Sequence, residues 1–465
     1  MKTRTEKDTL GHKAVPFDAY YGIQTQRAVE NFPISGIRIS EPFIRAYMCV
    51  KKAAALSNIE DGMLDKKKGK SIVKAINEVL EGKYRDQFVV DIFQMGAGTS
   101  FNMNCNEVIA NRASEILGGK KGKYDIIHPN DHVNMCQSTN DTYPTAMRLS
   151  ALFVIPQLES ELDQLAKSLN KKSLEFDNIL KSGRTHLQDA VPIRLGQEFK
   201  AYSLTISKCR KNISDSSNYL KELGIGGSAA GTGLNTSKNY SKTVIKNLKT
   251  ITKINVTNSK DLRESMQSNL SISILSSSLR NLSLELSRIC NDLRLLSSGP
   301  NTGLNEINLP AVAPGSSIMP GKINPSILEM TNMVCFQVIG CDTTISHSVE
   351  SGQLELNVMM PVMVYNLLFA LEILTNSLKQ LRKLCIDGIS ANEETCRNYM
   401  ENSLGLMTVL NHHIGYEKAA LLAKKALNSN KTILDIVKDE KLFTSDELDS
   451  IFNVKKLTGK NNQNK

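Results

Sequence analysis

Ser316, Ser317, Lys322 and Asn324 lie close together in the most irregular part of the chain. That part, Gly299 to Pro325, reads GPNTGLNEINLPAVAPGSSIMPGKINP and holds 9 of the chain's 41 glycines and prolines. A long structureless stretch inside a compact protein is uncommon and is usually functional or disordered. Its centre is neither low-complexity nor linker-like, so a mobile catalytic loop is expected. Lys322 stands just before an expected helix start, where a carboxylate partner is favoured.

Three further polar clusters share that setting, each placed just ahead of an expected helix. Gly96-Ala-Gly-Thr99-Ser100 precedes Asn102 to Ile116, and Gln137-Ser138-Thr139-Asn140-Asp141 precedes a helix from near Pro144. Gly183-Arg184-Thr185-His186-Leu187-Gln188-Asp189 precedes a helix from about Arg194. The long loop ends ahead of Ser326 to Gly340, with Asn324 suited to the N-cap and Pro325 to the first helical position. Ser, Thr and Asn at such places ordinarily serve only as caps. Helix N-termini also present free N–H groups and a positive dipole end to anions. Four of them, with a lysine and a histidine, would suit a small dicarboxylate, although composition does not tell whether they converge. His186 is equally compatible with a satisfied core histidine. Glu329, five residues beyond Asn324, could orient a histidine from another segment. The histidines include no HExxH motif, and no metal site is expected.

The elements that must position these residues are helical. At 465 residues, two or three domains and a large core are expected. Ile155, Leu158, Leu162, Leu165 and Leu169 repeat at alternating three- and four-residue steps, as do Leu275, Leu279, Leu282, Leu286, Ile289, Leu293 and Leu296. That period lays one apolar seam along each long helix, as a bundle requires. Ile272, Ile274 and Leu295 flank the later seam, so a bundle that also packs against other subunits is expected. Residues 1–40 are mixed, with a turn at Tyr20-Tyr21-Gly22, and helices follow to about residue 90, broken near Gly62 and Gly69. The division expected is 1–141, mixed but mostly helical; 142–396, the helix bundle with the loop 299–325; and 397–465, a small domain with short helices at Lys418 to Leu427 and Ser445 to Phe452. The tail Lys460 to Lys465 is expected to fray.

Composition excludes several classes. The formal charge is +10, but aromatics are 5% and basic runs are as short as Lys66-Lys67-Lys68 and Lys120-Lys121. A nucleic-acid binder would concentrate its charge and interleave aromatics; a solvated basic surface that steers anionic substrates fits better. The nine cysteines stand singly without a C-x-x-C pair, which points to reduced thiols rather than a disulfide framework. No apolar run follows Met1 to Glu6, so no signal peptide and a cytoplasmic location are expected. The most apolar segment, Val358 to Leu374, contains Pro361, Asn366 and Glu372 and is expected as a buried helix rather than a membrane span.

Gly315-Ser-Ser-Ile-Met-Pro-Gly-Lys-Ile-Asn-Pro325 resembles the most specific motif of the aspartase/fumarase superfamily. Gly98-Thr99-Ser100, His128 to Asn134, Ser138 to Asp141 and Gly183 to Asp189 are similar to further blocks of that family, in its order. The resemblance runs from about Leu10 to Val454. Within the superfamily the chain is more similar to the aspartate ammonia-lyases than to the class II fumarases: Ser138-Thr139-Asn140 has Thr where fumarases usually have a second Ser. Arg27 to Phe32, Leu295 to Pro300, Gly303 to Pro310, Val334 to Gly340 and Gly352 to Val358 agree. His128-Pro129 and His186 also match fumarases. One departure is Asn301, where the family usually has Arg after Ser-Gly-Pro; it bears on either subunit contacts or loop anchoring.

The resemblance implies a mainly all-α, three-domain fold whose long-helix bundle forms the core of a homotetramer, with active sites combining segments of three subunits. It implies reversible anti elimination of ammonia from L-aspartate to fumarate through an aci-carboxylate dianion, with Ser316 as base. Thr99, Ser138, Thr139 and Ser317 would hold the carboxylate that gains charge, and Thr185, Lys322 and Asn324 the other. Asn140 and His186 would face the departing amine, with Glu329 orienting His186. No cofactor is required, and divalent-ion activation is not indicated. The partners expected are the small-molecule substrates and further copies of the chain, with neither nucleic acid nor membrane. The alternatives are a class II fumarase on the same scaffold and, more remotely, a non-catalytic helical scaffold. Ammonium dependence separates the first, and absence of lyase activity in a folded protein would favour the second.

Overall fold

The computed structural model describes residues 2–403, 405–429 and 431–459; the expected frayed tail lies outside them. The chain opens with a hairpin of β1 (Thr3–Asp8) and β2 (Gly11–Pro16), followed by α1 (Ile23–Asn31), α2 (Glu41–Glu60), α3 (Lys66–Leu80), α4 (Thr99–Ile116) and the long α5 (Thr139–Glu175). A second hairpin, β3 (Leu180–Thr185) and β4 (Gln188–Arg194), leads into α6 (Leu195–Ser217). Next come β5 (Glu222–Leu223), α7 (Tyr240–Thr252), β6 (Thr257–Asn258), α8 (Leu262–Gln267), α9 (Leu270–Leu296), β7 (Ile307–Asn308), α10 (Ser326–Glu350), α11 (Met360–Leu384) and β8 (Ser390–Ala391). Short helices close the chain: α12 (Glu393–Asn402), α13 (Leu406–Ile414), α14 (Tyr416–Leu427), α15 (Ile433–Asp439), α16 (Ser445–Ile451) and α17 (Val454–Leu457). Among the described residues, the strands form only four two-stranded sheets, so the fold is mainly all-α.

The three-and-four spacing does what it should. Every seam leucine and isoleucine of α5 and α9 is buried. Of the flanking set, Ile272 is also buried while Leu295 is exposed, so the second face of α9 is narrower than expected. Helix breaks follow local chemistry. Asp65 caps α3 by accepting the N–H groups of Lys67 and Lys68. Gly69, an expected break, instead lies inside α3, where a Cβ would come within 2.5 Å of Ile59 Cδ1; its absence lets α2 and α3 approach closely. Helix α10 runs ten residues past the expected stop at Gly340. Helices α15 and α16 begin with capping boxes, Thr432 with Asp435 and Thr444 with Glu447.

The chain divides into two compact units, one of residues 1–159, 211–283 and 336–375, the other of residues 160–210, 284–335 and 376–465. These boundaries fall inside α5, α6, α9, α10 and α11, whereas the sequence expectation divides the chain along its length. In the second unit the last helices bury a cluster of their own that includes Leu406, Leu410, Leu422, Ile436 and Val437. Helix α11 begins the only stretch among the described residues, Met360–Gly388, long and apolar enough to cross a membrane, and 67% of its most apolar window is buried.

Candidate active site

In the first unit the starts of α4 and α5 are neighbours. Thr99 opens α4 and Thr139 opens α5; one turn further in, Asn102 and Thr142 meet the same phenol. Tyr47 donates to Asn102 Oδ1 at 3.0 Å, and its oxygen lies 3.0 Å from Thr142 Oγ1. Beneath them the Lys51 ammonium donates to Asn102 Oδ1 at 2.7 Å and Asn134 Oδ1 at 2.9 Å. Burial pushes the Lys51 ammonium down to about 7, opposed by the nearby Cys105 and Asp141. Gly98, at φ +82°, makes the turn into α4, and a Cβ there would stand 2.0 Å from the Tyr143 ring.

Ser138 and Asp141 cap α5 reciprocally: Ser138 Oγ accepts the Asn140 N–H at 3.2 Å, and Asp141 Oδ1 accepts the Ser138 N–H at 3.0 Å. Asp141 Oδ2 also accepts the N–H groups of Gly226 and Ser228, both at 3.0 Å, and Asn140 Nδ2 donates to the Ala229 carbonyl at 2.9 Å. The helix start and the 224–233 loop are thereby one assembly. Burial pushes the Asp141 carboxyl up to about 6, against the pull of those three N–H groups and Lys51. Among the described residues the hydroxyls of Thr99 and Thr139 carry no hydrogen bond. Free hydroxyls at the positive ends of two helices suit the oxygens of an anion.

In the second unit Thr185 and His186 sit exposed at the tip of the β3–β4 hairpin. The helix expected from about Arg194 is α6, from Leu195, but the cluster does not lie just ahead of it: β4 intervenes, paired with β3. The tip residues His186 and Leu187 both have positive φ, 55° and 58°, as a tight two-residue hairpin turn demands. Leucine is poorly suited to that region and is exposed here, so neither propensity nor packing within the chain accounts for it.

The long loop has a buried stem and an exposed head. Ile307 and Asn308 pair with Ala391 and Ser390, and Pro310 lies against Gly388, where a Cβ would meet Pro310 Cγ at 2.5 Å. The head closes on itself: Gly315 N–H donates to the Lys322 carbonyl at 2.8 Å, and Asn324 Nδ2 donates to the Gly315 carbonyl at 2.5 Å. The serine and lysine segments are therefore one ring. Inside it, Ser316 Oγ accepts the N–H groups of Ile318 at 3.2 Å and Met319 at 3.0 Å. Asn324 does not act as the expected N-cap side chain. Its amide is committed to the ring, and the first helical bond of α10 runs from Glu329 N–H to the Pro325 carbonyl at 3.1 Å. Among the described residues Glu329 and His186 share no hydrogen bond or ion pair, and Lys322 has no ion-pair partner.

Two family models match the chain, one described as lyase over residues 11–340 and one as fumarase C C-terminus over residues 406–459. The aspartate ammonia-lyase of Bacillus subtilis (strain 168) is 48% identical over 455 residues, covering 98% of this chain and 96% of that protein. That of Escherichia coli (strain K12) is 47% identical over 457 residues, with 98% and 96% covered. The chain belongs to the aspartase/fumarase superfamily. It is an enzyme of the carbon–nitrogen lyase class. Among solved structures, the fumarate lyase:delta crystallin of Brucella melitensis bound to cobalt is 45% identical with a TM-score of 0.96, covering 98% of this chain and all of that one, a 100% share. The recombinant class II fumarase of Schistosoma mansoni is 36% identical with a TM-score of 0.92, covering 97% and 98%.

Against the superfamily motifs, the structure brings Thr99 together with Ser138, Thr139 and Asn140, and the hairpin of Thr185 and His186 together with the stem of the Ser316 loop. Sequence reasoning overlooked three buried groups that hold these pieces: Lys51, Asp141 and Glu306. Lys51 was detectable, since it stands four residues after Tyr47 and three before Ala54 on the buried face of α2. Asn301 is exposed and its side chain makes no hydrogen bond among the described residues; the stem is anchored instead at Ser298, Asn305 and Glu306. His128 and His132 stand at H-x-x-x-H spacing. Three of their four ring nitrogens are already engaged: His128 Nδ1 accepts the N–H groups of Asn130 and Asp131, His132 Nδ1 accepts that of His128, and His132 Nε2 lies 3.0 Å from Lys68 Nζ. Among the described residues no group of three or more His, Cys, Asp and Glu is placed to hold a metal ion.

Proposed function

We propose that this lyase is an aspartate ammonia-lyase, eliminating ammonia reversibly from L-aspartate to give fumarate. Ser316, as its oxyanion, takes the proton from Cβ on the face opposite the amine. The adjacent carboxylate becomes an aci-carboxylate dianion, and the C–N bond breaks as the dianion collapses to fumarate. A serine is a base only where its oxyanion is stabilised. The observation that carries this role is the pair of backbone N–H groups, from Ile318 and Met319, directed at Ser316 Oγ.

Thr99, Ser138, Thr139 and Ser317 hold the carboxylate that gains charge, and losing one such donor costs about 3–4 kcal/mol of transition-state stabilisation. Thr185, Lys322 and Asn324 hold the other carboxylate, and Asn140 and His186 face the amine. Glu329 orients a His186 contributed by another subunit, in a homotetramer of three-domain chains whose sites draw on three subunits. Closure of the exposed loop head excludes water when substrate is bound. The enzyme is cytoplasmic and requires no cofactor, so dialysis against a chelator should leave turnover unchanged.

Ser316→Ala should abolish turnover while the folded protein still binds fumarate by calorimetry; wild-type-like turnover would remove Ser316 as base. Lys322→Ala should raise KM as well as lower kcat, by about 2–3 kcal/mol in kcat/KM for a lost charged hydrogen bond. An unchanged KM would argue against a carboxylate contact. The class II fumarase relative makes one assay decisive. Fumarate should disappear only when ammonium is present, and consumption without ammonium would make the enzyme a hydratase.

A further inference from the structure

The stem of the long loop, unlike its exposed head, carries a carboxylate that is buried completely. Glu306 has no solvent exposure, and two cations from one strand converge on it. Arg184 NH1 donates to its Oε1 at 2.9 Å, and Lys181 Nζ lies 2.9 Å from its Oε2. Lys181 also donates to Glu198 Oε1, at 2.8 Å, so the cluster holds two cations and two carboxylates. Arg184 further stacks its guanidinium over Tyr399, 5.3 Å from the ring centre.

The local backbone is shaped to make this meeting possible. Lys181 and Arg184 are an odd number of residues apart, and in a regular strand they would face opposite sides. The β3–β4 register shifts between Ser182 and Arg184, and that irregularity turns both side chains onto one carboxylate. Gly183 sits inside it, where a Cβ would stand 2.6 Å from the Val191 carbonyl oxygen. On the other side Glu306 is pinned through its backbone. Its N–H donates to the Leu296 carbonyl at the end of α9 at 2.8 Å, and its carbonyl accepts the Asn392 N–H at 2.9 Å.

Arg184 is followed directly by Thr185 and His186, and Glu306 lies at the base of the loop that carries Ser316 and Lys322. We propose that Glu306, with Lys181 and Arg184, forms a positioning cluster that fixes the hairpin and the stem of the catalytic loop to one another within a chain, so that each is held in place for the shared site it enters. These residues do not touch substrate. They act through Thr185 and His186 on one arm and the loop head on the other, so the proposal rests on the roles given to those residues above. A cluster that merely filled the core would not need two cations brought together by a bulge, since an apolar group of the same volume is often at least as stabilising as a buried ion pair.

The test uses the full-length assembled enzyme and Glu306→Gln, which keeps shape and one acceptor but loses the charge. A misplacement of about 1 Å costs on the order of 10²-fold in rate. A fall in kcat/KM of that order is expected, with KM for L-aspartate raised severalfold. A structural role alone would lower the folded fraction, and with it kcat, at constant KM. Amide hydrogen exchange supplies a readout that needs no activity: exchange at 184–189 should rise in Glu306→Gln relative to wild type. The double variant Glu306→Gln/Lys181→Met, which removes one charge of each sign, should regain thermal stability without regaining KM. An unchanged KM in Glu306→Gln, unchanged exchange at the hairpin tip, or recovery of KM in the double variant would each overturn the proposal. A wild-type enzyme that fails to turn over L-aspartate would instead defeat the proposed reaction, and hydrogen exchange would still decide the cluster's role.

Discussion

Asp141 meets two opposed demands. Ionised, it accepts three backbone N–H groups and joins the α5 start to the loop that holds Asn140. Protonated, it loses an acceptor, and the Ser138 cap or the 226–228 turn must give up a bond. Lys51 favours the ionised form, and Cys136 and Tyr240 face the same carboxylate. kcat/KM should therefore fall on the acid side with an apparent pKa near the carboxyl's value of about 6. Asp141→Asn should abolish that limb and lower kcat/KM in alkaline buffer by about tenfold, as expected when a buried donor goes unsatisfied. Stability moves the other way. The folded-state value lies above the ordinary 3.8, so this group favours folding below 3.8 and that contribution is lost as pH rises through about 6. The variant should lose this decline in thermal stability across the same window. A pH–rate profile with its acid limb unmoved would separate Asp141 from the site. The Ser138 cap lies within the same recognised block, but the link to the loop was not legible in the sequence, since Gly226 and Ser228 lie 85 and 87 residues away. Glu306 was hidden for the same reason, 122 residues from Arg184.

Elements were legible where periodicity is long and illegible where it is short. The α9 seam repeats through the whole helix, and a core takes it up without local competition. The β3–β4 hairpin has only a few residues per strand, a proline within β4 and a His-Leu tip lacking the Asn-Gly or Asp-Gly signature of such turns, so it passed for the approach to a helix. The loop was recognised by its glycines and prolines, but its closure into a ring depends on the Asn324 amide, which the sequence suggested as a cap. Gly98 is the position where an element is most exposed to a single change. Its φ is left-handed, and an added methyl would overlap the fully buried Tyr143 ring that packs on Phe43 and Tyr47. Gly98→Ala should destabilise the enzyme by about 3 kcal/mol or more, since overpacking and left-handed strain add. It should also misplace Thr99, raising KM. Faster thermal inactivation together with a raised KM is the expected result; an unchanged inactivation rate would mean that the Tyr143 ring yields without cost.

At the scale of the whole molecule, the long helices retain apolar surface that one chain does not cover. Met333 and Phe336 on α10 are 63% and 60% exposed, and Leu270, Leu284 and Leu295 on α9 are exposed as well. Along α10 the exposed positions continue through Gly340 and Thr343 in helical steps, so a single face of that helix is left bare, with Gly340 leaving room for close approach. Scattered exposed leucines need no explanation, but a continuous apolar-to-small face on a long helix fits a partner helix. A second copy of the chain is the partner that the proposed shared active site requires. Phe336→Glu tests both ideas together. Each buried phenylalanine contributes about 1.5–3 kcal/mol, and an unpaired buried carboxylate costs several kcal/mol, repeated in every subunit. The variant should sediment as a smaller species, keep its helical circular dichroism, and lose turnover in step with dissociation as protein is diluted. A Phe336→Glu enzyme that sedimented as the wild type does would show that this face is not the interface. A dissociated form with full turnover would show that one chain completes the site alone, so that Glu329 would have to reach His186 within a single subunit.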